Sequence, residues 1–167
     1  VHNSIRVGGD KMDNDIINYL RKKNNLHVGL LTAEKIKTTI GSAYPLKEEL
    51  TMEVRGRDIV SGFPVTIKIS SEEIREALSE TITTIVDSIK RLFERTAPEL
   101  AADIAERGIY LTGGGALLKG LDEKVSKTVD LPVYVVPDAL ECVVRGAGKV
   151  LDDIDHYREV LIKRIED

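Results

Sequence analysis

The fold is decided by the stretch Leu111-Thr112-Gly113-Gly114-Gly115-Ala116-Leu117-Leu118, in which an apolar strand runs into three glycines and then into a helical pattern. Consecutive glycines cost conformational entropy and leave the backbone bare. Close approach of a ligand to helix N-terminal amides would be a physical reason for glycine at these positions. A tight strand-to-helix turn that needs only positive φ angles accounts for them equally well. The stretch is not a Walker loop, because no Gly-Lys-Ser/Thr follows, and it lacks the third glycine of a dinucleotide fingerprint.

The segments around this stretch alternate between strand and helix patterns. Residues 109–111 and 133–136 are apolar and strand-like, the apolar residues after the glycines fall at helical spacing, and a further helix is expected from Asp138 onward. Such alternation is typical of an α/β layer in which helices cover and bury the strands. We therefore predict an α/β fold.

Two longer helices are predicted upstream. An apolar residue recurs every four positions from Met12 to Leu20, behind Asp10, which can cap the helix. Ser70 and Glu73 make a capping box that opens a second, longer helix with one apolar face. This second helix is expected to span the core.

Shorter elements lie between and before these helices. Residues 4–7 have the pattern of a strand, and a short helix is expected from Thr32, as its cap, to a point before Pro45. Residues 50–54 and 65–69 alternate apolar and polar side chains, which predicts a small β meander.

The short helix and the meander interrupt what would otherwise be one α/β unit. We therefore predict a small inserted α+β subdomain at residues 30–70, within a core made of residues 1–29 and 71–153. The tail, residues 154–167, has Tyr157, Leu161 and Ile165 at helical spacing and is predicted to be helical.

Composition limits the classes of function. The chain has 167 residues, of which 42% are hydrophobic and 31% charged, as in globular proteins. Its net charge of -4 provides no basic field for a phosphate backbone, so we expect no nucleic-acid partner. No apolar run is long enough to cross a bilayer and no signal peptide is evident, which predicts a cytoplasmic protein. The start on Val1, without an initiator methionine, suggests a fragment.

Residues that could carry chemistry are few. The three histidines have no partners at metal-ligand spacing, so no metal site on protein ligands is expected. The lone Cys142 has no activating base in the sequence, and we expect an inert buried thiol and no catalytic residue. Glu34 and Lys37 share a helix face and could reach one ligand, although a solvated charge pair is the ordinary interpretation. Arg55, Arg57 and Asp58 lie in a predicted turn between strands, as a solvated hairpin tip or in contact with another protein.

Taken together, several segments in the same order resemble the second half of the MreB family, the rod-shape-determining actin homologues of bacteria. The matching stretches are Ser4-Ile5-Arg6-Val7-Gly8-Gly9-Asp10-Lys11-Met12-Asp13, Thr32-Ala33-Glu34-Lys35-Ile36-Lys37 with Ile40-Gly41-Ser42-Ala43, Arg55-Gly56-Arg57-Asp58, Pro98-Glu99-Leu100-Ala101-Ala102-Asp103-Ile104, and Arg107-Gly108 through Leu118. The resemblance extends from residue 1 to about residue 153.

The resemblance implies an actin-like ATPase fold, in which two α/β domains close over ATP or ADP with Mg²⁺. This chain would supply the second domain, with a ribonuclease-H-like core. The family's nucleotide contacts would fall on the glycine turn, at Gly113, Gly114, Gly115, Ala116 and Leu117, and on the inserted helix, at Glu34, Lys35, Ile36 and Lys37.

The resemblance also implies what lies outside the chain. The phosphate-binding hairpins and the residue that positions the attacking water are expected upstream of Val1, together with most of the Mg²⁺ site and the membrane-binding elements. The full-length family would be a slow ATPase at the inner face of the membrane, and this chain alone is expected to be inactive.

Three functions of different classes remain open on the sequence. The leading one is a filament subunit that directs cell shape, associates with itself through the inserted subdomain, and meets cell-wall synthesis proteins. The second is part of another ATPase of the same superfold, a chaperone ATPase or a sugar kinase. The third, an oxidoreductase built on the glycine turn, is the weakest, because the fingerprint is incomplete.

Overall fold

The computed structural model describes residues 1–158 of the chain, and these residues form helices and two separate sheets. The helices are α1 (Gly9–Asn24), α2 (Leu30–Ile40), α3 (Ser71–Glu94), α4 (Pro98–Arg107), α5 (Leu121–Val129) and α6 (Cys142–Asp152). The strands are β1 (Leu26–His27), β2 (Thr51–Asp58), β3 (Pro64–Ser70), β4 (Ile109–Leu111) and β5 (Val133–Val135), and a 3₁₀ turn covers Gly114–Leu117.

The two longer helices form where the apolar spacing predicts them. Helix α1 buries the stripe from Met12 to Leu20 and ends at Asn25, whose left-handed φ of 51° closes the last turn. Helix α3 has the predicted capping box: the Ser70 hydroxyl accepts from the Glu73 amide, and the Glu73 carboxylate accepts from the Ser70 amide. Both helices and the capping box are confirmed, but the prediction that Asp10 caps α1 is wrong. The Gly8 carbonyl accepts from the Met12 amide, so the helix begins at Gly9, and Asp10 lies within its first turn.

The first sheet is antiparallel, in the order β1-β2-β3. Val54 pairs with Ile67 and Met52 pairs with Ile69, and the alternation turns Val54 and Ile69 into the core. The predicted meander is therefore confirmed. Arg55 and Arg57, predicted in the turn, instead lie within β2, where they pair with Thr66 and Pro64, so the strand runs further than its apolar alternation. Strand β1 extends this sheet with residues 26–27, which the sequence-based division assigns to the core unit, whereas β2 and β3 lie in the predicted insertion.

The second sheet is a parallel pair, β4 and β5, in register from Ile109↔Val133 to Leu111↔Val135. Helix α5 lies between them in sequence and packs on β5. The strands are half-buried, and Tyr110 and Tyr134 stand exposed on the other face with ring centroids 5.4 Å apart. The sequence predicts buried strands at this position, but among residues 1–158 helices cover one face only.

Several boundaries differ from the sequence prediction for local reasons. Residues 4–7 form no strand, since they pair with no strand of either described sheet. Thr32 is not a cap: the Gly29 carbonyl already accepts from the amides of Thr32 and Ala33, so α2 begins at Leu30. After the glycines a 3₁₀ turn comes first, and the helix starts only at Leu121.

Two further predictions concern the end of the chain. The helix expected from Asp138 begins at Cys142, after a turn in which the Asp138 carbonyl accepts from the Glu141 and Cys142 amides. Cys142 is half-buried rather than fully buried, since α6 contributes no buried residue. The predicted tail helix through Leu161 and Ile165 lies outside the described residues.

One hydrophobic core joins the first sheet to α1, α2, α3 and α5. Its largest fully buried side chains are Ile16, Leu20, Leu26, Ile36, Ile40, Ile69, Ile74 and Leu78. Helices α4 and α6 bury none of their residues. Among residues 1–158, no helix has the length and apolar content needed to span a bilayer.

A polar network ties the loop after α2 to α3. Arg75 of α3 donates from Nη2 to Glu49 Oε1 at 2.7 Å and from Nη1 to Ser42 Oγ at 2.8 Å. The Ser71 hydroxyl also donates to Glu49. The Arg75 hydrogen bond, followed by that of Ser71, lowers the pKa of Glu49 to about 2.

We expect Glu49→Gln to destabilise the fold at neutral pH and to matter less in acid. Because the folded state depresses the pKa of Glu49, its contribution is present above the unfolded pKa of about 4.3 and is lost as the pH falls toward 2. Urea unfolding of both proteins between pH 7 and pH 2 measures this difference.

Glu48→Gln is the matched control, because Glu48 is exposed and has no ion pair among residues 1–158. A midpoint difference for Glu49→Gln that is independent of pH, or one equal to that of Glu48→Gln, would show that the Arg75 network does not act through the ionised carboxylate.

Candidate functional site

The glycine turn joins β4 to the segment before α5. Gly113 has a φ of 81°, and its amide donates to the Ala139 carbonyl at 2.8 Å. Gly114 and Gly115 then enter the 3₁₀ turn, in which the Ala116 amide donates to the Gly113 carbonyl at 3.1 Å. The turn thus directs the chain away from the sheet, and Gly114 and Gly115 are exposed at its outer side.

The three glycines do not have the same reason to be glycine. The left-handed φ of Gly113 explains the first by backbone geometry. A Cβ on Gly114 would lie 3.2 Å from Leu140 Cδ2, the end of a flexible side chain, and a Cβ on Gly115 would meet no protein atom within 4 Å. The need for a positive φ therefore accounts for Gly113 but not for Gly114 or Gly115.

The two residues after the glycines face opposite ways. Ala116 is buried against the body, whereas Leu117 is about half exposed. Of the residues that the resemblance assigns to the nucleotide here, Ala116 can thus offer a ligand only its backbone. Gly114, Gly115 and Leu117 are open to it.

The four residues predicted on α2 also differ in what they can offer. Glu34 and Lys35 are exposed, and Ile36 is completely buried in the core. Lys37 is largely buried, with 15% of its side chain accessible. Of these four residues, only Glu34 and Lys35 therefore present free side chains.

The Lys37 ammonium is held by α1. Its Nζ lies 2.9 Å from both carboxylate oxygens of Asp13, although only the contact with Oδ2 has hydrogen-bond geometry, and it donates to the Gly9 carbonyl at 3.3 Å. The sequence pairs Lys37 with Glu34 on one helix face and misses this partner. Asp13 lies three residues before Ile16 and so shares the buried face of α1, which is the signal that could have found it.

The end of α2 and the segment after the glycine turn are joined directly. The Lys119 ammonium donates to the Thr38 carbonyl at 3.1 Å and to the Thr39 carbonyl at 2.8 Å. The Ala43 amide donates to the Lys119 carbonyl at 2.8 Å. A Cβ on Gly41 would lie 3.1 Å from Leu118 Cδ1, so the Leu118 side chain packs closely on the backbone here. The end of α2 and the segment directly after the glycine turn, far apart in sequence, are thus in contact, and the sequence contains no signal for Lys119.

The remaining polar groups do not suggest a second chemistry. Among residues 1–158, no group of three or more His, Cys, Asp or Glu side chains could hold a metal ion. Asp58 at the hairpin tip is engaged locally, because its carboxylate accepts from the Ser61 and Val60 amides, and these bonds lower its pKa.

With this geometry described, comparison with known proteins places the chain. Residues 1–159 match the family model described as "MreB/Mbl protein". The chain belongs to the MreB/Mbl family. The cell shape-determining protein MreB of Escherichia coli (strain K12) is 49% identical over 154 residues, which cover 92% of this chain and 44% of that protein. The cell shape-determining protein Mbl of Bacillus subtilis (strain 168) is 44% identical over 152 residues, which cover 91% of this chain and 46% of that protein.

Solved structures show the same relationship. MreB5 of Spiroplasma citri bound to AMPPNP has a TM-score of 0.87 at 41% identity, covering 94% of this chain and 47% of that chain. A MamK double helical filament has a TM-score of 0.71 at 23% identity, which indicates the fold alone. The chain therefore has an α/β actin-like fold, and it spans about half the length of the MreB/Mbl relatives that it matches.

We expect Lys37→Met to lower the free energy of unfolding by about 3 kcal/mol, because it leaves the Asp13 carboxylate buried without its partner. Lys35→Met removes an exposed charge from the same helix and should change the free energy of unfolding by less than about 0.5 kcal/mol. Urea denaturation of the three proteins measures both values. Equal and small effects would mean that the Asp13–Lys37 pair contributes nothing to the packing of α2 on α1.

Proposed function

We propose that this chain contributes the adenosine side of an ATP or ADP site in a bacterial actin-like filament protein that directs cell shape. The observation that carries the proposal is the junction of Lys119, just after the glycine turn, with the end of α2. It joins the element with the exposed Gly114-Gly115 backbone to the helix with the exposed side chains of Glu34 and Lys35. Membership of the MreB/Mbl family and the AMPPNP and ADP complexes of MreB5 from Spiroplasma citri support it.

The proposed ligand contacts follow from the exposure of each residue. The backbone at Gly113, Gly114, Gly115 and Ala116 would lie against the nucleotide, with Leu117 at the rim. Glu34 and Lys35 would reach the adenosine from α2, Ile36 would contribute only its backbone, and Lys37 would hold the helix in place unless it leaves Asp13.

We further propose that the rest of a full-length protein carries the phosphate-binding hairpins, most of the Mg²⁺ contacts and the residue that positions water. Phosphoryl transfer needs metal, phosphates and nucleophile held together. This chain alone should therefore bind nucleotide weakly and hydrolyse none. A position at the inner face of the membrane and contacts with wall-synthesis proteins belong to the same proposal.

The alternatives are less well supported. A chaperone ATPase or a sugar kinase would share the superfold, but the family match covers residues 1–159 and the curated relatives are cell shape-determining proteins. The division into a ribonuclease-H-like core and an inserted subdomain at residues 30–70 stays a proposal. Its support is that α2, β2 and β3 form a helix-and-sheet unit between α1 and α3.

We expect Gly115→Val to weaken binding of Mg-ADP at least tenfold, about 1.4 kcal/mol, because the side chain would occupy the space left for the ligand. Isothermal titration of both proteins measures this. Folding should be little affected, since the added Cβ meets no protein atom within 4 Å.

Gly146→Val is the matched control, because Gly146 lies in α6 and its added Cβ also meets nothing within 4 Å. The control should bind Mg-ADP like the parent chain. If the parent chain is folded and shows no binding at millimolar ADP, or if Gly115→Val binds as tightly as the parent, the glycines are only a turn and the nucleotide proposal fails.

We propose that the filament contact uses the tip of the β2–β3 hairpin. Ile59, Val60 and Phe63 expose apolar side chains there, with Val60 81% and Phe63 72% accessible. Arg21, His27 and Arg57 lie in a cleft of about 260 Å³ beside them. The tip is therefore apolar with a basic flank.

A complementary surface lies near the opposite end of α3. Helices α1 and α3 run antiparallel, because Lys23 near the end of α1 contacts Glu76 near the start of α3, and Leu92 lies about 24 Å further along α3. There Leu92, Leu100, Ile104 and Tyr110 line a cleft of about 410 Å³, and α4 adds Asp103 and Arg107 to its lining. A tip at one end and a cleft at the other produce an open, head-to-tail series of copies.

We expect Phe63→Asp to abolish self-association of the chain, because it places a charge in an apolar contact. Sedimentation velocity at increasing concentration measures the association. Leu31→Asp is the control, since Leu31 is also exposed but lies on α2. Loss of association in both variants, or in neither, would exclude the tip as the specific contact.

A further inference from the structure

The contacts of Lys119 link two elements that the proposed function assigns to one ligand. Its side chain reaches α2, which carries Glu34 and Lys35, and its backbone directly follows the glycine turn and Leu118. The sequence around Lys119, which precedes Gly120, contains no motif that indicates a role for it.

The end of a helix explains why a lysine fits here. The last carbonyls of an α-helix have no partner within the helix, and the helix dipole places partial negative charge on them. The Lys119 ammonium satisfies two of these carbonyls, at Thr38 and Thr39, with bonds of 3.1 and 2.8 Å. A donor charge thus stabilises the end of α2 from a segment about 80 residues further along the chain.

Backbone contacts make the attachment short and specific. The Ala43 amide bonds the Lys119 carbonyl, and Ser42 and Lys119 form a parallel bridge. Leu118, itself buried, packs against Gly41 where a Cβ would also collide with the Lys37 carbonyl at 2.3 Å. The junction therefore has a rigid backbone part, and the side chain of Lys119 extends it along the last turn of α2.

We propose that Lys119 is a positioning residue of the nucleotide site: it fixes the α2 face at a set separation from the glycine turn, so that one ligand meets both. This inference rests on the proposed function. Lys119 itself does not touch the ligand, because its ammonium is engaged by α2. A ligand that contacts α2 and the turn together depends on the attachment, and a ligand that contacts the turn alone does not.

The experiment compares two probes on Lys119→Met, which keeps the length of the side chain and removes its hydrogen bonds. We expect the affinity for Mg-ADP to fall roughly fivefold or more, while the affinity for inorganic pyrophosphate, which has no adenosine to reach α2, stays unchanged. Lys119→Arg should restore ADP binding, since a guanidinium can also donate to two carbonyls. Isothermal titration measures all three.

Lys127→Met is the matched control, because it removes a nearby cation that bonds the Tyr44 hydroxyl and not α2. It should leave both affinities unchanged. If Lys119→Met weakens the binding of ADP and of pyrophosphate equally, the lysine acts through its charge or through the stability of the fold, and the positioning role is overturned. Unchanged ADP binding in Lys119→Met overturns it as well.

Hydrogen exchange separates this inference from the proposed function. If the parent chain binds no ADP, the nucleotide proposal fails for this chain. Hydrogen exchange in the unliganded protein then tests whether Lys119 couples α2 to the glycine turn. Lys119→Met should then speed exchange at the Gly41 amide and at the Gly113 and Ala116 amides together, roughly tenfold, because both elements loosen as one unit. Faster exchange confined to Gly41 overturns the link.

Discussion

Burial of the apolar side of α3 is the constraint on which the described structure depends. Ile74, Leu78, Ile82 and Val86 are almost completely buried along this helix. They pack against α1 and α2, and α3 also contacts β3 and α5, so one helix face holds the first sheet and the later part of the chain to a common core. Fully burying one such side chain contributes about 1.5–3 kcal/mol, so a row of them outweighs any single polar contact in the molecule.

Sequence reasoning succeeds where a local period decides the structure. The spacing from Met12 to Leu20 and the Ser70–Glu73 box each contain the cause of a helix within a few residues. The alternation of β2 and β3 does the same for the first sheet. It is less successful where a neighbour decides. Residues 4–7 have strand-forming side chains but pair with no strand, and Thr32 could cap a helix that already begins behind Gly29.

The candidate site divides along the same line. The glycines and α2 could be selected from the sequence together with the family resemblance, since each is a local motif. The sequence could not show that Lys37 is held by Asp13, that Ile36 is turned into the core, or that Lys119 reaches the carbonyl end of α2, because these contacts join residues that are 24 or more positions apart or depend on which helix face is buried. A residue pattern indicates which groups are present, and only packing decides which of them remain free for a ligand.

The distribution of burial fits the proposal of half a cleft. The core lies around α1, α2, α3 and the first sheet, whereas β4 and β5 expose Tyr110 and Tyr134 and α6 exposes Val143 and Val144. The proposed nucleotide contacts lie between these regions, since the glycine turn leaves β4 and is fastened to α2 through Lys119. A site built at such a boundary can be rigid on one side and open on the other. Its firm side is the one fastened to the core, and under the proposal its open side is where the phosphate-binding half of a full-length relative would close.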